Sequence, residues 1–348
     1  MTDAIIGSVE SELLRFYETG RRRADGFGGH YPALWEALER AGRGGKRTRP
    51  ALVMTAYRGL GGEDEALASL VAAAFEMLHT AFLLHDDVID HDLRRRGVLN
   101  VGGVFVELAR ARGADERQAD TWASSAGILA GDLVLSHAHR LLGTLDVPTA
   151  VRVDLLDIVD DAVFASAAGE LADVTNALAR DSIAVSDVVA TLAAKTAVYS
   201  FQTPLEAGAV LAGASTDIRL ALRAIGERLG IAFQLADDLL GVFGDEAVTG
   251  KSTLADLREG KVTTLIAHAR GTDAWPRLSA LVGDPDLDEA GAAEARMLLE
   301  QCGARAATEQ MARGDADAAR ELARSGPFPP DLAQALVLVA DAATERTR

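Results

Sequence analysis

Apolar residues recur at intervals of three and four along most of the chain, and no segment alternates strictly between apolar and polar residues. The first pattern is typical of helices that pack one face on a core, whereas alternation would indicate strands. Glycine, proline and aspartate separate the periodic segments. We therefore predict an all-α fold without a β-hairpin. The predicted helices cover residues 66–84, 125–142, 151–178, 185–211, 218–240 and 330–343.

The composition supports this interpretation. Alanine is abundant in nearly every segment, and aromatic residues make up only 5% of the 348 residues. Sheets favour aromatic and β-branched residues, so this composition favours closely packed helices. The helix over 125–142 is apolar around most of its circumference, which indicates that it is buried on most sides. No low-complexity linker divides the chain, and we expect residues 1–348 to form a single all-helical domain.

Charge and cysteine content narrow the class of protein. The 35 Lys and Arg residues against 52 Asp and Glu residues give a net charge of −17, which argues against general binding of nucleic acid or anionic membranes. The single cysteine, Cys302, excludes an intrachain disulfide and favours a reducing compartment. No uninterrupted apolar run approaches the ~18 residues of a spanning helix, and the acidic N-terminal segment is unlike a signal peptide. We expect a cytoplasmic protein without a transmembrane segment.

Paired aspartates end two of the predicted apolar helices. Asp86 and Asp90 lie in the segment HDDVIDHD, ~40° apart on one helical face, and Asp237 lies in the segment QLADD. Carboxylates this close at the end of a buried helix repel each other, and a hard divalent cation relieves the repulsion. Oxygen-only ligation favours Mg²⁺ over Zn²⁺. Two such ends predict two parts of one Mg²⁺ site, although either end alone also fits a solvated helix terminus.

Basic residues accompany the aspartates. Lys46 and Arg49 lie in the loop-like segment GRGGKRTRP, and Arg95 and Arg96 follow the first aspartate cluster directly. In so acidic a chain, arginine beside aspartate indicates an anion that is held by metal and guanidinium together. Mg²⁺ typically bridges carboxylates to phosphate oxygens, so a diphosphate fits both features. Each basic run alone would also fit a solvated surface.

In their order along the chain, these motifs resemble those of the trans-isoprenyl diphosphate synthases. The matching segments are GGKRTRP, HTAFLLHDDVID, RRG, GDLVLSHAHRLL, KT, FQLADD, TGK and EGK, spread over residues 44–261. Any one segment is unspecific, whereas the ordered set is highly specific. The resemblance implies a helical bundle around a deep central cavity, a homodimer, and Mg²⁺-dependent condensation of isopentenyl diphosphate with an allylic diphosphate.

The resemblance also implies roles for individual residues. The implied Mg²⁺ ligands are Asp86, Asp90 and Asp237. The positions that hold isopentenyl diphosphate are Lys46, Arg49, His79 and Arg96. The positions around the allylic diphosphate are Arg95, Lys195, Thr196, Gln234, Lys251 and Lys261. Of these, Arg95 and Lys195 are expected to act with the aspartates in catalysis, by stabilising charge on the departing diphosphate. Gly241 departs from the family, whose second motif usually has a third aspartate there.

Product length in this family depends on the residues one turn before the first motif. Ala81 and Phe82 occupy those positions, and Phe82 is ~6 Å nearer the helix N-terminus than Asp86. Large residues there shorten the product and small residues lengthen it. One small and one aromatic residue favour geranylgeranyl diphosphate, with farnesyl diphosphate as the alternative, and simple packing of Phe82 between helices is a further interpretation.

Three other functions stay open at this point. A non-catalytic subunit of a two-component synthase remains possible because Gly241 replaces an aspartate. A terpene cyclase would share the aspartates, but it would not need the second diphosphate site that the basic loop indicates. A helical metal phosphohydrolase could use His85 and Asp86 as paired ligands, but it would leave the second aspartate pair unexplained.

Overall fold

The computed structural model describes residues 3–178, 183–244 and 253–344, which are helical almost throughout. The prediction of an all-α fold is confirmed. The chain divides into two compact units. Unit 1 comprises Met1–Asp157 and Ala207–Gly213, and unit 2 comprises Ile158–Glu206 and Ala214–Arg348.

The first part of the chain forms seven helices and one short hairpin within the described residues. The elements are α1 (Asp3–Ala24), α2 (Tyr31–Gly42), α3 (Thr48–Gly59), α4 (Glu65–Ile89), β1 (Arg94–Arg95), β2 (Val98–Leu99), α5 (Val101–Arg110), α6 (Glu116–Gly143) and α7 (Thr149–Leu178).

A π-helical segment and nine further helices follow among the described residues. The elements are α8 (Val185–Leu192), the π-helix (Ala193–Gln202), α9 (Thr203–Leu211), α10 (Thr216–Phe243), α11 (Ala255–Glu259), α12 (Thr264–Arg270), α13 (Trp275–Leu278), α14 (Glu289–Gln301), α15 (Ala304–Ser325) and α16 (Pro330–Thr344). Every predicted helix lies inside an observed one, and the predicted helix over 185–211 is the continuous run of α8, the π-helix and α9.

Helix α4 forms the centre of unit 1, where it packs against α1, α3 and α6. The successive residues Ala72, Ala73, Ala74 and Phe75 are all buried, so α4 is enclosed on every side along this stretch. Among the described residues it is the one helix long and apolar enough to span a membrane by composition, with a mean hydropathy of 1.8 over its best window. That window is 72% buried in the protein, as expected for a core helix.

The C-terminal end of α4 lies close to α6. A Cβ added to Gly131 would lie 2.2 Å from Nε2 of His85, so the His85 ring packs directly on the backbone of α6 at this glycine. Asp64 caps the other end of α4 by accepting a hydrogen bond from the Leu67 N–H. The aspartate-bearing end of α4 is therefore fixed by packing rather than left to fray.

Unit 2 is organised around α10, which packs against the π-helix, α15 and α16. Leu229 and Leu235 of α10 are fully buried. On α15 the buried residues facing the core are alanines at helical spacing, Ala312, Ala316, Ala319 and Ala323. Small side chains allow helix axes to approach closely, which agrees with the alanine-rich composition.

Candidate active site

Asp86 and Asp87 at the end of α4 share one guanidinium group. Nε of Arg95 donates to Oδ1 of Asp87 at 2.7 Å, and Nη2 donates to Oδ2 of Asp86 at 3.2 Å. Asp87 is buried, which raises the pKa of its carboxyl group, while the adjacent Arg95 opposes the shift. Asp90 follows the last helical residue and is exposed. Asp87 therefore anchors Arg95, whereas Asp86 and Asp90 keep access to solvent.

Arg95 reaches the aspartates because the chain turns back in a β-hairpin. Arg95 pairs with Val98 across the turn, and the two residues between them have φ of 53° at Arg96 and 77° at Gly97. Positive φ at both central positions is the geometry of tight two-residue hairpins. The prediction that the chain contains no hairpin is therefore wrong, because Arg-Gly is a weaker turn signal than Asn-Gly and the strands have only two residues each.

Asn100 connects this hairpin to α5. Its Nδ2 donates to the carbonyl oxygen of Asp92 at 2.7 Å, and its Oδ1 accepts from the N–H of Gly103 at 2.8 Å. Asn100 is buried and caps α5. It therefore fixes the loop that follows the aspartates rather than facing a ligand.

The basic side chains of the loop before α3 and of the first turn of α3 fall into two sets, one buried and one more exposed. Arg47 is 5% exposed and donates to Glu10 and Glu76 at 2.6 Å each, so it is a structural residue of the core of unit 1. Lys46 is exposed and Arg49 is half-buried. Nη1 of Arg96 lies 3.5 Å from the carbonyl oxygen of Arg43. Arg96 therefore lies against the loop that carries Lys46.

His79 on α4 lies where several guanidinium groups act together. Burial lowers its pKa well below the ordinary value, and the positive charges of Arg49, Arg95 and Arg96 lower it further. His79 is therefore neutral at neutral pH. Two of the other residues predicted to hold isopentenyl diphosphate, Arg49 and Arg96, thus act on His79. A concentration of positive charge of this kind suits a multiply charged anion.

The second aspartate pair lies on α10 in unit 2. Asp237 is partly exposed, whereas Asp238 is only 1% exposed. Burial raises the pKa of Asp238 to about 6, and Lys261 and Gln234 oppose the shift. Nε2 of Gln234 donates to Oδ1 of Asp238 at 3.0 Å. Thr196 in turn donates to Oε1 of Gln234 at 3.2 Å.

The hydrogen bond from Gln234 to Asp238 joins residues about one turn apart on α10, which are neighbours on one helical face. Nζ of Lys261 lies 3.6 Å from Oδ1 of Asp238. Although burial works against the ammonium ion, Asp238 and Asp256 raise the pKa of Lys261, so it stays cationic. Lys251 lies outside the described residues.

Lys195 lies on the π-helix and contacts two acidic residues that the sequence analysis missed. Its Nζ is 3.0 Å from Oε2 of Glu170 and 2.8 Å from Oδ2 of Asp173, both on α7. A Cβ on Gly169 would lie 2.3 Å from the backbone nitrogen of Lys195, so glycine permits this contact between α7 and the π-helix. In the sequence, these partners could have been noticed as two acidic residues three apart on a largely apolar helix. π-helical turns are frequent at functional sites.

The two residues predicted to limit chain length differ in burial. Ala81 is fully buried, whereas Phe82 is only partly buried. His85, the residue of the phosphohydrolase alternative, places its Nε2 3.4 Å from Oδ1 of Asp132 on α6.

The donor sets fit Mg²⁺. The candidate ligands Asp86, Asp90 and Asp237 offer only carboxylate oxygens, which Mg²⁺ prefers. Oδ2 of Asp238 is buried and accepts no hydrogen bond from the described residues. Beside Asp237, this carboxylate oxygen therefore still has room to accept a hydrogen bond. Within residues 3–178, 183–244 and 253–344, no three His, Cys, Asp or Glu side chains form a ready-made metal cluster. Mg²⁺ usually keeps several waters and binds one or two carboxylates together with substrate phosphates.

The low pKa of His79 predicts a pH dependence of stability. The unfolded imidazole takes up a proton as the pH falls through 6.5, whereas the folded one does not. The stability of the wild type relative to His79→Gln should therefore fall by about 1.4 kcal/mol per pH unit below 6.5. Urea denaturation of both proteins between pH 7.5 and 5 measures this difference. A difference that stays constant over this range would show that folded His79 takes up a proton.

Comparison with known proteins identifies the family. The polyprenyl synthetase family model matches residues 32–296. Geranylfarnesyl diphosphate synthase from Aeropyrum pernix is 32% identical over 312 residues, which cover 88% of this chain and 91% of that protein. (2E,6E)-Farnesyl diphosphate synthase from Mycobacterium bovis is 35% identical over 244 residues, 69% of this chain but only 61% of that protein.

A solved structure supports the same family assignment. Geranylgeranyl pyrophosphate synthase from Corynebacterium glutamicum, complexed with isoprenyl diphosphate and magnesium, has a TM-score of 0.90 at 28% identity, with 99% of each chain covered. The family match extends over more than half of the chain and includes both aspartate motifs and the basic loop. This chain therefore belongs to the polyprenyl synthetase family of trans-prenyl diphosphate synthases.

Proposed function

We propose that the protein uses Mg²⁺ to condense isopentenyl diphosphate with an allylic diphosphate and that its main product is geranylgeranyl diphosphate. The carrying observation is the contact of Arg96 with the basic loop that holds Lys46 and leads to Arg49, where Nη1 of Arg96 lies 3.5 Å from the carbonyl oxygen of Arg43, because a second diphosphate needs its own set of cations. A terpene cyclase has no use for such a set. The relatives are named for products of different chain length, so the proposed length of this protein's product is argued from Ala81 and Phe82 alone.

The proposed reaction begins with cleavage of the allylic C–O bond. Bound Mg²⁺ would neutralise charge on the diphosphate oxygens, with Asp86, Asp90 and Asp237 as its protein ligands. Lys195 and Lys261, together with Arg95, stabilise the negative charge that develops on the departing diphosphate. Thr196, Gln234 and Lys251 complete the proposed contacts with this group.

The second substrate is held by the basic set in unit 1. Lys46, Arg49 and Arg96 bind the isopentenyl diphosphate, and neutral His79 can donate a hydrogen bond to it. The isopentenyl double bond attacks the allylic cation and forms the new C–C bond. A proton then leaves the adjacent carbon and passes to the released diphosphate, since the contacts described above include no obvious side-chain base. This restores one double bond and yields inorganic diphosphate.

The experiment that tests this function is incubation of the pure protein with isopentenyl diphosphate, Mg²⁺ and each allylic primer, with products read by mass spectrometry. We expect elongation, and we expect Asp86→Ala or Asp237→Ala to abolish it. Removing one of two repelling carboxylates should leave stability in metal-free buffer equal or higher. Asp286→Ala, at an exposed aspartate before α14, should behave as the wild type.

Two outcomes would contradict the proposal. Folded wild-type protein that elongates no primer would favour the non-catalytic subunit, which the Gly241 departure left open. Near-normal turnover of Asp86→Ala would exclude a metal ligand at that position. Denaturation curves of each variant separate a loss of chemistry from a loss of folding.

Phe82→Ala tests the assignment of chain length. If Phe82 limits the growing chain, the variant should make longer products at retained activity. If Phe82 only packs between helices, the variant should lose about 3–5 kcal/mol of stability and keep its product. Phe105→Ala is the matched control, because Phe105 is a buried aromatic that packs on Trp122. An unchanged product distribution in a destabilised Phe82→Ala variant would remove the basis for geranylgeranyl diphosphate.

We propose that the chain forms one domain and acts as a cytoplasmic homodimer. The supporting feature is an exposed apolar stripe on α7, where Phe164, Leu171 and Leu178 are 78%, 69% and 78% exposed at seven-residue spacing. Light scattering should give a dimer for the wild type and a monomer for the double variant Phe164→Glu/Leu171→Glu. Leu338→Glu, an exposed leucine on α16, should stay dimeric. A monomeric wild type would contradict the dimer.

A further inference from the structure

A buried cluster of charges anchors the loop that carries Lys46. Nε of Arg47 donates to Oε1 of Glu10 at 2.6 Å, and Nη1 donates to Oε1 of Glu76 at 2.6 Å. Nη2 of the same side chain donates to the carbonyl oxygen of Gly42, the last residue of α2, at 3.1 Å. One guanidinium group therefore joins the loop to α1, α2 and α4 at the same time.

The backbone of Arg47 has a conformation that a side chain disfavours. Its φ of 49° and ψ of 41° lie in the left-handed region, although Arg47 is not a glycine. A residue keeps such a conformation only when its surroundings hold it there. At this turn Lys46 is exposed, Arg47 is buried, and Arg49 in the first turn of α3 is half-buried. The contacts of the Arg47 side chain therefore maintain a turn that the loop would not favour by itself.

The same cluster extends towards His79. Glu76 lies on α4, three residues before His79, and its side chain is only 5% exposed. The positive charge of Arg47 is one of those that lower the pKa of His79. Arg47 is thus bonded to the helix that carries His79 and is the chain neighbour of Lys46. Two parts of the proposed isopentenyl diphosphate site meet at this one buried side chain.

We propose that Arg47, held by Glu10 and Glu76, is a positioning residue that keeps Lys46 and Arg49 where they bind isopentenyl diphosphate. The inference rests on the proposed function, which supplies the roles of the latter two residues. The guanidinium of Arg47 is buried against carboxylates, so it acts through its neighbours and does not touch the substrate. Loosening it should weaken the binding of isopentenyl diphosphate and spare the allylic substrate, whose proposed lysine contacts belong to unit 2.

The test is steady-state kinetics with each substrate varied in turn, together with calorimetric titration of isopentenyl diphosphate and denaturation curves. Glu10→Ala removes the partner of Arg47 that is 34% exposed, so the variant should fold. We expect the KM for isopentenyl diphosphate to rise about tenfold or more, while kcat and the allylic KM stay unchanged. Glu12→Ala, on the same helix and paired with Arg15, is the matched control and should change none of these values.

A second arm changes Arg47 itself. Arg47→Lys keeps the positive charge, but a single ammonium group cannot reproduce the fork that reaches two carboxylates and a carbonyl oxygen. The variant should raise the same KM. The double variant Glu10→Ala/Arg47→Lys should raise it by less than the product of the two single effects, because both changes remove the same contact. If Arg47→Lys does not fold, Glu10→Ala with its control decides the question.

The outcomes separate this inference from the proposed function. Wild-type protein that neither elongates a primer nor binds isopentenyl diphosphate would overturn the proposed function itself. An active wild type with a less stable Glu10→Ala variant of unchanged KM would show that Arg47 serves folding alone and would overturn its positioning role. An equal rise in both KM values would indicate a general disturbance of the fold and would overturn that role as well.

Discussion

The guanidinium of Arg95, shared between Asp86 and Asp87, is the interaction on which the first half of the site depends. Helix α4 is enclosed along most of its length, so carboxylates at its end need a cation close by. The hairpin supplies that cation by turning the chain back at Arg96 and Gly97. The same turn places Arg96 against the basic loop. One short connection therefore organises both the acidic cluster and the anion-binding cluster.

In unit 2, lysines rather than an arginine supply the cations that buried carboxylates need. Lys195 lies between two carboxylates of α7, and Lys261 lies beside buried Asp238. A buried ammonium or carboxylate without a partner is costly, so these pairs hold the cations in place before any anion binds. Under the proposed function, binding of a diphosphate would be an exchange of partners, in which the lysines turn from these carboxylates to phosphate oxygens. A site built in this way is ordered in advance, which limits the reorganisation that the reaction requires.

The sequence predicts most of the architecture and only part of the site. Helices such as α4 and α10 have long apolar periodicity, so their course could be read from spacing. The aspartate pair lies at the end of α4, whereas α10 continues past Asp238 to Phe243, so the prediction that aspartates end both helices is wrong for α10. The hairpin could not be read from spacing, because a two-residue strand has no periodicity. The partners of Lys195 could not be predicted either, because they lie on a helix that is distant along the chain. Local patterns report the helix on which a side chain lies, whereas the contacts between helices depend on packing.

The protein is strongly acidic, yet both of its proposed substrates are polyanions. The net charge of −17 would oppose the approach of a diphosphate if all charges acted at long range. At physiological ionic strength, however, exposed charges are screened beyond about 8 Å, so the local arrangement decides. Burial lowers the pKa of His79, and the positive charges of Arg49, Arg95 and Arg96 lower it further, so arginines act together at this place. A surplus of acidic residues generally opposes non-specific binding of polyanions, whereas a few fixed arginines and lysines can still create the local positive potential that the proposed diphosphate site requires.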